Sequence, residues 1–567
     1  MRFRTLSRLA STALACGLAT AAAADPTDAL TSAAPDAAAG ATLAAAPAPA
    51  PALTPAQAAF RDELVAALAG VPQAQATAIS GFYAARDYAP FWAEPGSDRP
   101  AVLAAALAAA PAQALPLRSA DIEALTGFFG PTAASAGHAE GEVAATRAYL
   151  GLADDTAAGV LAPGSLYPDL QVRPSHPAPA ALMALLDKAP LPDVLAGLEP
   201  ADPDYRRLVA EKARLEALDA GASWGPEVLD GPTMHPGDAD PRVAALRARL
   251  ARLGYLVPDG ETAGSDFDPT LEAAVEAFQA DYGLNADGVV GSLTLDAINA
   301  PAETRLAQVA VNLERLRWLN RQPEARYLFV NIPDFTVRLI EDGRTTWESK
   351  VVVGKTHVTE TPEFSGVVKY MVVNPTWHIP DSIAIRDYLP KLQKDPLVLQ
   401  RQNIRLLTRS GTEIDPQLVD FAQYTPESFP FRIKQRPSDD NALGKVKFLF
   451  PNQNSVYMHD TPHRELFARD VRAFSNGCIR LQKPTELADI VLQGQVPDPQ
   501  ATFDALVATG KEKTITLERT IPVHIDYRTV WFDDAGGVHY RPDVYGRDAK
   551  VFDALVAAGV TLPAAQG

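Results

Sequence analysis

One cysteine and one histidine near the C-terminal end of the chain have the residue types and spacing for acyl-transfer chemistry. Cys478 follows His459 by 19 residues, and the other cysteine of the 567-residue chain is Cys16. A thiolate attacks carbonyl carbon, and a nearby imidazole can take the thiol proton and return it to a leaving amine. The cysteine count alone leaves three alternatives for Cys478: a buried inert thiol, an intermolecular disulfide or a nucleophile.

The residues around these two side chains favour the nucleophile. His459 is predicted at the end of one strand and Cys478 at the start of another, where side chains project from a rigid edge. Pairing with an imidazolium lowers a thiol pKa from about 8.5 to about 3.5–7.5. Main-chain N–H groups near Gly477 and Cys478 are expected to be free to hold an oxyanion. His463 is the alternative base.

The N-terminus predicts export to the periplasm. Residues 1–24 carry three arginines, a short apolar stretch and small residues before Asp25, which is the layout of a secretory signal peptide. After cleavage, Cys478 is the single cysteine in an oxidising compartment. Lipidation at Cys16 is the alternative, because Ala13-Leu14-Ala15-Cys16 loosely matches a lipobox, and membrane attachment is expected only in that case.

The formal charge of −18 excludes whole classes of partner. A chain this acidic has no broad attraction for nucleic acid, and anionic lipid repels it. The sequence contains no HExxH, paired-cysteine or Asp-rich motif and no Gly-rich phosphate loop, so neither a metal nor a nucleotide cofactor is expected. His357 and His378 are interpreted as structural or cleft-wall residues.

The elements that must position this chemistry belong to a multidomain α+β protein. Residues 25–53 are an Ala/Pro-rich linker, and the Ala/Leu-rich sequence of 54–235 predicts a helical domain. Its aromatic cluster between Phe82 and Trp92 is interpreted as local core. Over 240–300, apolar residues at helical spacing and turn glycines predict a compact three-helix module.

From residue 305 to 560 the pattern is that of a mostly β domain that contains Cys478. One amphipathic helix precedes predicted strands at Tyr327–Ile332, Thr336–Glu341, Thr345–Val353, Val367–Val373, Val446–Phe450, Ser455–His459, Gly477–Leu481 and Thr514–Ile525. Residues 381–444 are predicted to be an insertion with helical pieces. Insertions of this length are commonly lids or binding loops.

Two stretches resemble known families. L-x-x-x-L-x-x-L-G-Y and the later F-Q-x-D-Y-G-L-x-x-D-G-V-V-G-x-x-T, both within 240–300, are similar to the peptidoglycan-binding module of many wall enzymes. H-x(15)-S-x-G-C-I-R, with NPTW and LGKVKFLFPN upstream, resembles the catalytic region of the L,D-transpeptidase (YkuD-type) family, in its large Gram-negative branch. That branch also carries a helical scaffold domain followed by a peptidoglycan-binding module, which implies the same order here.

The resemblance implies a role for each residue of the motif. Cys478 is the acyl-accepting nucleophile and His459 the general base, with its imidazole oriented by the main-chain carbonyl of Asp460. Many family members have histidine where this chain has Asn476, which weakens a second-histidine role. The substrate and oxyanion side is predicted to comprise Ser475, Asn476, Gly477, Arg480, Asp460, Tyr457 and Trp377. Arg480 would anchor substrate oxygens, and Trp377 is interpreted either as core or as a wall of the acyl site.

The family further implies a cofactor-free, two-step reaction on peptidoglycan. The thiol attacks the carbonyl of meso-diaminopimelate in a stem tetrapeptide and releases D-Ala. An amine of a second stem then takes the acyl group, which gives a 3→3 cross-link. Carbapenems are expected to acylate the same thiol. Two alternatives remain: a thiol hydrolase that cuts cross-links or wall-protein anchors, and a non-catalytic peptidoglycan-binding scaffold.

Overall fold

The described part of the chain begins at Leu53. The computed structural model describes residues 53–130, 138–167, 170–220, 224–257, 264–320, 322 and 324–562. The predicted signal peptide and the linker up to residue 52 lie outside the described residues. Within these ranges, no helix is both long enough and apolar enough to cross a bilayer.

Helices dominate residues 55–220, as the Ala/Leu-rich pattern predicts. Thr54 starts the first helix through a capping box, in which its hydroxyl accepts from the Gln57 N–H at 3.3 Å and the Gln57 side chain accepts from the Thr54 N–H at 2.8 Å. The helices are α1 (Pro55–Ala67), α2 (Gln73–Ala84), α3 (Arg99–Ala109), α4 (Ser119–Phe129), α5 (His138–Ala158), α6 (Pro163–Leu166), α7 (Pro179–Leu185), α8 (Leu191–Leu198) and α9 (Pro203–Ala220).

The aromatic cluster of this region is a core that a buried carboxylate holds together. Phe82, Tyr83, Phe91 and Trp92 are all buried. Glu142 of α5 is buried beside them, and it accepts from the Tyr83 hydroxyl at 2.5 Å and from the N–H groups of Phe91 and Trp92 at 2.9 Å each. These contacts agree with the interpretation of the cluster as local core.

Three helices follow in the 240–300 module: α10 (Val243–Leu253), α11 (Pro269–Asp281) and α12 (Ser292–Asn299). Gly254 ends α10 at φ +93°, a left-handed conformation that favours glycine. Gln279, buried on α11, fixes the turn before α12. Its side-chain oxygen accepts from the Gly288 N–H at 2.9 Å and its amide donates to the Val289 carbonyl at 2.9 Å.

The module shares its core with the elements on either side of it. Tyr282 of the module stacks on Tyr540 with ring centroids 5.3 Å apart, and the Arg305 guanidinium lies 4.1 Å and 4.8 Å from these two ring centroids. The Tyr540 hydroxyl donates to Glu211 of α9 at 2.5 Å. The elements that meet here include α13 (Ala302–Leu319), β14 (Val530–Phe532), β15 (Val538–Tyr540) and α19 (Arg547–Ala557).

The core of this region therefore extends across the predicted boundary at residue 305. Helix α13 and the C-terminal segment, both assigned by sequence to the β domain, pack into one core with α9 and the module. The reason is that the apolar face of α13 is buried by neighbours on both sides of it in sequence. Leu306, Val309, Leu313 and Leu316 all lie in that core.

A nine-stranded sheet forms the β domain. The eight predicted strands match eight of these strands to within three residues at each end, and the strand Ala473–Ser475 was not predicted. The order of the sheet is β11-β3-β12-β10-β9-β4-β13-β1-β2, and β2 also pairs with β3, so the sheet closes on itself. The strands are β1 (Arg326–Asn331), β2 (Thr336–Glu341), β3 (Arg344–Gly354), β4 (Phe364–Val373), β9 (Val446–Leu449), β10 (Met458–His459), β11 (Ala473–Ser475), β12 (Ile479–Leu481) and β13 (Lys513–Asp526). Helices α17 (Pro484–Leu492) and α18 (Pro499–Ala508) cover its core.

The insertion contains a second sheet that its sequence did not predict. Strands β5 (Trp377–Ile379), β6 (Ile404–Leu407), β7 (Glu413–Ile414) and β8 (Arg432–Gln435) pair in the order β5-β8-β6-β7, beside α14 (Asp381–Ile383), α15 (Leu389–Leu392) and α16 (Val398–Arg401). The folded unit thus starts at Trp377 rather than at residue 381. Strands of two to four residues are too short to show a clear period-two pattern, and the expectation of helical pieces was incomplete for that reason.

The stacked pair Tyr282–Tyr540 is expected to couple the module energetically to the C-terminal segment. In a double-mutant cycle with Tyr282→Leu and Tyr540→Leu, we expect a coupling of about 0.5–1.5 kcal/mol in the free energy of unfolding, measured by urea denaturation. The control cycle pairs Tyr282→Leu with Tyr424→Leu in the separate core of the insertion, where the two effects should add. Additive effects for the stacked pair would contradict a shared core.

Candidate active site

His459 ends β10 in the middle of the sheet, and its imidazole is buried. Its Nδ1 lies 2.5 Å from the main-chain carbonyl oxygen of Asp460. A carbonyl only accepts, so Nδ1 carries the hydrogen and Nε2 is left as the acceptor nitrogen. This is the orientation that the resemblance implies for a general base.

The main chain of Asp460 is itself held in place by its own carboxylate. One carboxylate oxygen accepts from the Lys445 N–H at 2.8 Å, and the other accepts from the Thr461 N–H at 2.7 Å. The carboxylate fits because Gly444, which precedes Lys445, has no side chain. A Cβ at Gly444 would overlap the Asp460 carboxylate, and the φ of Gly444, +57°, favours glycine as well. The carbonyl that orients His459 is thereby fixed.

Strand register places Cys478 on the same sheet face as His459. In the parallel pair β10–β12, Met458 faces Ile479 and His459 faces Arg480, and the Ile479 N–H donates to the Tyr457 carbonyl at 3.0 Å. Cys478 thus lies opposite Tyr457 and diagonal to His459, because side chains two residues apart on a strand share a face. Diagonal neighbours are about 7–8 Å apart, which an imidazole can span.

The sulfur of Cys478 rests against residues 455 and 457 in this structure. Sγ lies 3.8 Å from the Ser455 carbonyl oxygen, and the main-chain N–H and hydroxyl of Tyr457 act to lower the pKa of the thiol. Within the described part of the chain, no hydrogen bond joins Sγ to the imidazole. The side chain is half-buried.

Both reactive groups are neutral at rest. Burial raises the pKa of the Cys478 thiol to about 11. Burial, together with the positive charges of Arg480 and Lys447, lowers the pKa of His459 to about 3. The expected thiolate–imidazolium pair is therefore not the resting state, because desolvation disfavours the charged form of each group.

A network of hydroxyls fixes the loop before the cysteine. The Ser475 hydroxyl donates to the Cys478 carbonyl at 2.6 Å and accepts from the Gly477 N–H at 3.1 Å. Thr361, also buried, donates to the Gly477 carbonyl at 2.9 Å. The Gly477 N–H, one of the two groups expected to be free for an oxyanion, is thus already bonded. The Cys478 N–H has no partner among the described residues.

The remaining predicted residues divide between this face and the insertion. Arg480 lies on the sheet beside the sulfur, and its buried Nε has no hydrogen-bond partner in the described chain. Asn476 accepts from Arg386 of the insertion at 2.8 Å. Trp377 lies on β5, half-buried against the insertion core. His463, the alternative base, is exposed beside Glu465.

Sequence reasoning missed several residues that the fold brings to this site. Lys447 faces His459 across β9 and β10. The alternation of apolar and charged residues in Val446-Lys447-Phe448 could have predicted this, because it places the lysine on the sheet face opposite the core. Thr359 donates to the Ser475 carbonyl at 2.8 Å, and like Thr361 it comes from a loop after β3 that carries no periodic signal.

Three parts of the chain match known families. Residues 325–525 match the YkuD family, described as the L,D-transpeptidase catalytic domain. Residues 77–211 match a family described as "Scaffold domain", and residues 239–298 match the "Putative peptidoglycan binding domain" family. The predicted L,D-transpeptidase architecture, with its three domains in this order, and the α+β fold class are confirmed.

Individual relatives cover less of the molecule. A curated protein from Haemophilus influenzae, named "Putative L,D-transpeptidase", is 34% identical over 251 residues, which are 44% of this chain and 50% of that protein. The chain therefore spans about half the length of this relative. Solved L,D-transpeptidase structures from Xylanimonas cellulosilytica and Stackebrandtia nassauensis are each 14% identical and cover 53% and 54% of this chain and 99% and 98% of their own, with TM-scores of 0.15 and 0.20. Such scores add nothing to the fold assignment.

Because His459 is buried as the neutral imidazole of the YkuD-type domain, the protein should lose stability in acid. The pKa is about 6.5 in the unfolded chain and about 3 in the folded one, so between these values the unfolded chain binds the extra proton. The free energy of unfolding then falls as pH falls, by up to about 1.4 kcal/mol per pH unit from this group. Urea unfolding is measured for wild type and His459→Gln from pH 7 to 4.5. As the pH falls, the free energy of unfolding of wild type should decrease steadily relative to that of His459→Gln.

The matched control for this experiment is Cys478→Ala, which leaves the imidazole buried and should keep the acid dependence of wild type. A difference between wild type and His459→Gln that stays constant over the range would show that His459 is not buried in its neutral form.

Proposed function

We propose that this chain is a periplasmic peptidoglycan L,D-transpeptidase that forms 3→3 cross-links through an acyl-enzyme on Cys478. The observation that carries the proposal is the pairing of β10 with β12, which puts a cysteine and an oriented imidazole on one sheet face. The match of residues 325–525 to the L,D-transpeptidase catalytic domain supports the reaction class, and the match of 239–298 supports peptidoglycan as the polymer.

In the proposed first step, the Cys478 side chain turns from Tyr457 toward His459. Nε2 accepts the thiol proton as the sulfur bonds to the carbonyl carbon of the diaminopimelate residue. A neutral thiol and a neutral imidazole suit this concerted route, because no thiolate has to exist beforehand. The oxyanion then forms next to the unpartnered Cys478 N–H and the Tyr457 hydroxyl, which can turn from sulfur to oxygen.

Collapse of the intermediate breaks the peptide bond. The imidazolium of His459 returns its proton to the leaving D-Ala amine, and the thioester remains on Cys478. In the second step, His459 takes a proton from the amine of another stem as this amine attacks the thioester. The new amide is the 3→3 link, and the proton goes back to the sulfur.

The insertion is the proposed wall of the substrate groove. Arg386 reaches from the insertion to Asn476, two residues from the nucleophile, through an exposed hydrogen bond. A substrate that enters above Cys478 has to pass this contact. We assign to Asn476 a role in joining the insertion to the catalytic loop, in place of the second histidine found in many family members.

A carbapenem should acylate the thiol, because its strained amide mimics the acyl donor. After incubation with meropenem, intact-protein mass spectrometry is expected to give one adduct per chain in wild type and none in Cys478→Ala. His459→Gln should form the adduct at least about 100-fold more slowly, which is the lower range for loss of a general base. An unmodified wild-type mass would argue against a reactive Cys478.

Transfer and hydrolysis make opposite predictions on cell-wall material. Purified sacculi incubated with the protein and analysed by muropeptide mass spectrometry should gain 3→3 dimers. A loss of existing links without new dimers would instead support the thiol hydrolase. Cys478→Ala should produce neither change, and a Cys478→Ala variant that retains full function in cells would favour a non-catalytic wall-binding scaffold.

A further inference from the structure

Two cations flank the catalytic imidazole in one row across the sheet. His459 of β10 faces Lys447 on β9 and Arg480 on β12. Neighbouring strands lie about 4.8 Å apart, so the imidazole stands between an ammonium and a guanidinium with all three side chains on one face. The sulfur of Cys478 is in the adjacent row of the same face.

Neither cation has an anionic partner in the described part of the chain. The Arg480 Nε is buried without a hydrogen-bond acceptor. Lys447 is half-buried, and its Nζ lies 5.8 Å from the centroid of the Tyr457 ring. Glu512 acts on Lys447 only at a distance, and its carboxylate accepts from the Thr376 N–H. Glu465 acts on Arg480 only at a distance as well, and its carboxylate lies 3.4 Å from His463 Nδ1. Burial lowers the pKa of both cations, as expected for charges that lose water without gaining a partner.

Proton transfer from the thiol to His459 makes this arrangement less favourable still. An imidazolium would then lie between two cations, with the thiolate as the anion on the same sheet face and Glu512 and Glu465 acting only from a distance. Buried charges of one sign are costly unless an anion joins them. The row of Lys447, His459 and Arg480 contains no anionic side chain, although the net charge of the chain is −18. The missing negative charge has to come with the substrate.

We propose that Lys447 and Arg480 together bind a carboxylate of the acyl donor. Lys447 is a positioning residue: the carboxylate that it holds balances the positive charge around His459, so that the imidazole can accept the thiol proton. The inference rests on the proposed transpeptidase function and extends it. The anchoring role of Arg480 is implied by the family, whereas that of Lys447 follows from the register. The free enzyme keeps an unreactive thiol, and an anionic donor activates it.

Alkylation of Cys478 tests this site without requiring transpeptidation. Iodoacetate carries a carboxylate and iodoacetamide does not. The ratio of their rate constants with wild type is expected to exceed the ratio measured with glutathione by about tenfold, because opposite charges attract strongly in a poorly solvated site. Lys447→Met should bring the ratio down to near the glutathione value, and Lys447→Arg should keep most of it. Cys478→Ala gives the background.

Lys369→Met is the matched control, because it removes an exposed lysine from neighbouring strand β4 and should leave the ratio unchanged. Thermal unfolding checks that each variant is folded, and Lys447→Gln replaces Lys447→Met if the latter is not. A wild-type ratio equal to that of glutathione, or a folded Lys447→Met that keeps the wild-type ratio, would overturn the proposal while leaving the proposed function intact.

Donors in which one carboxylate is amidated identify which carboxylate Lys447 binds. One tetrapeptide donor carries a C-terminal carboxamide, and another carries an amide on the side-chain carboxylate of diaminopimelate. The loss in kcat/KM caused by Lys447→Met should disappear for the donor that lacks the carboxylate bound by Lys447 and persist for the other. A loss that persists with both donors would contradict binding of either of these two carboxylates by Lys447.

Discussion

The hydrogen bond from His459 Nδ1 to the Asp460 carbonyl is the interaction on which the rest of the site depends. It fixes the tautomer and turns Nε2 toward the sheet face that carries Cys478. A carbonyl orients the ring as well as a carboxylate does, but it brings no negative charge to stabilise an imidazolium. Placing this neutral partner on a buried histidine between two cations produces a weak base, which agrees with its low pKa.

This constraint explains why the thiol is also kept neutral. A thiolate with no imidazolium beside it would be a buried charge, and burial raises the pKa of Cys478 accordingly. Thiolates, rather than thiols, react with oxidants. A single cysteine that is protonated until a substrate arrives suits a protein proposed to work in an oxidising compartment. The cations on the same face create a positive electrostatic potential that attracts a bound anion. The reactivity of the thiol is therefore linked to the binding of an anionic substrate.

The sequence predicted eight of the nine strands of the large sheet, and it predicted that Cys478 and His459 lie at strand ends, because both features leave local signals. Alternating apolar residues reveal β9, and the motif around Cys478 predicts a nucleophile together with its base. Other features depend on partners that are distant in sequence. Thr361, for example, reaches Gly477 across 116 residues. The bond from the Gly477 N–H to Ser475 is by contrast local, and the prediction of a free N–H overlooked that a serine can accept from the N–H two residues on. Helix α13 was assigned to one domain because an amphipathic pattern shows that a face is buried but not what covers it.

The shared core also determines where motion can occur. Because Tyr282, Arg305 and Tyr540 join the module to α13 and the C-terminal segment, the module is held in a fixed orientation relative to these elements. The insertion has a separate small core and touches the catalytic loop through the exposed Arg386–Asn476 hydrogen bond. An exposed bond of this kind contributes little to stability, whereas a buried aromatic core contributes much. Adjustment to different ligands of the proposed site is therefore expected in the insertion rather than in the module.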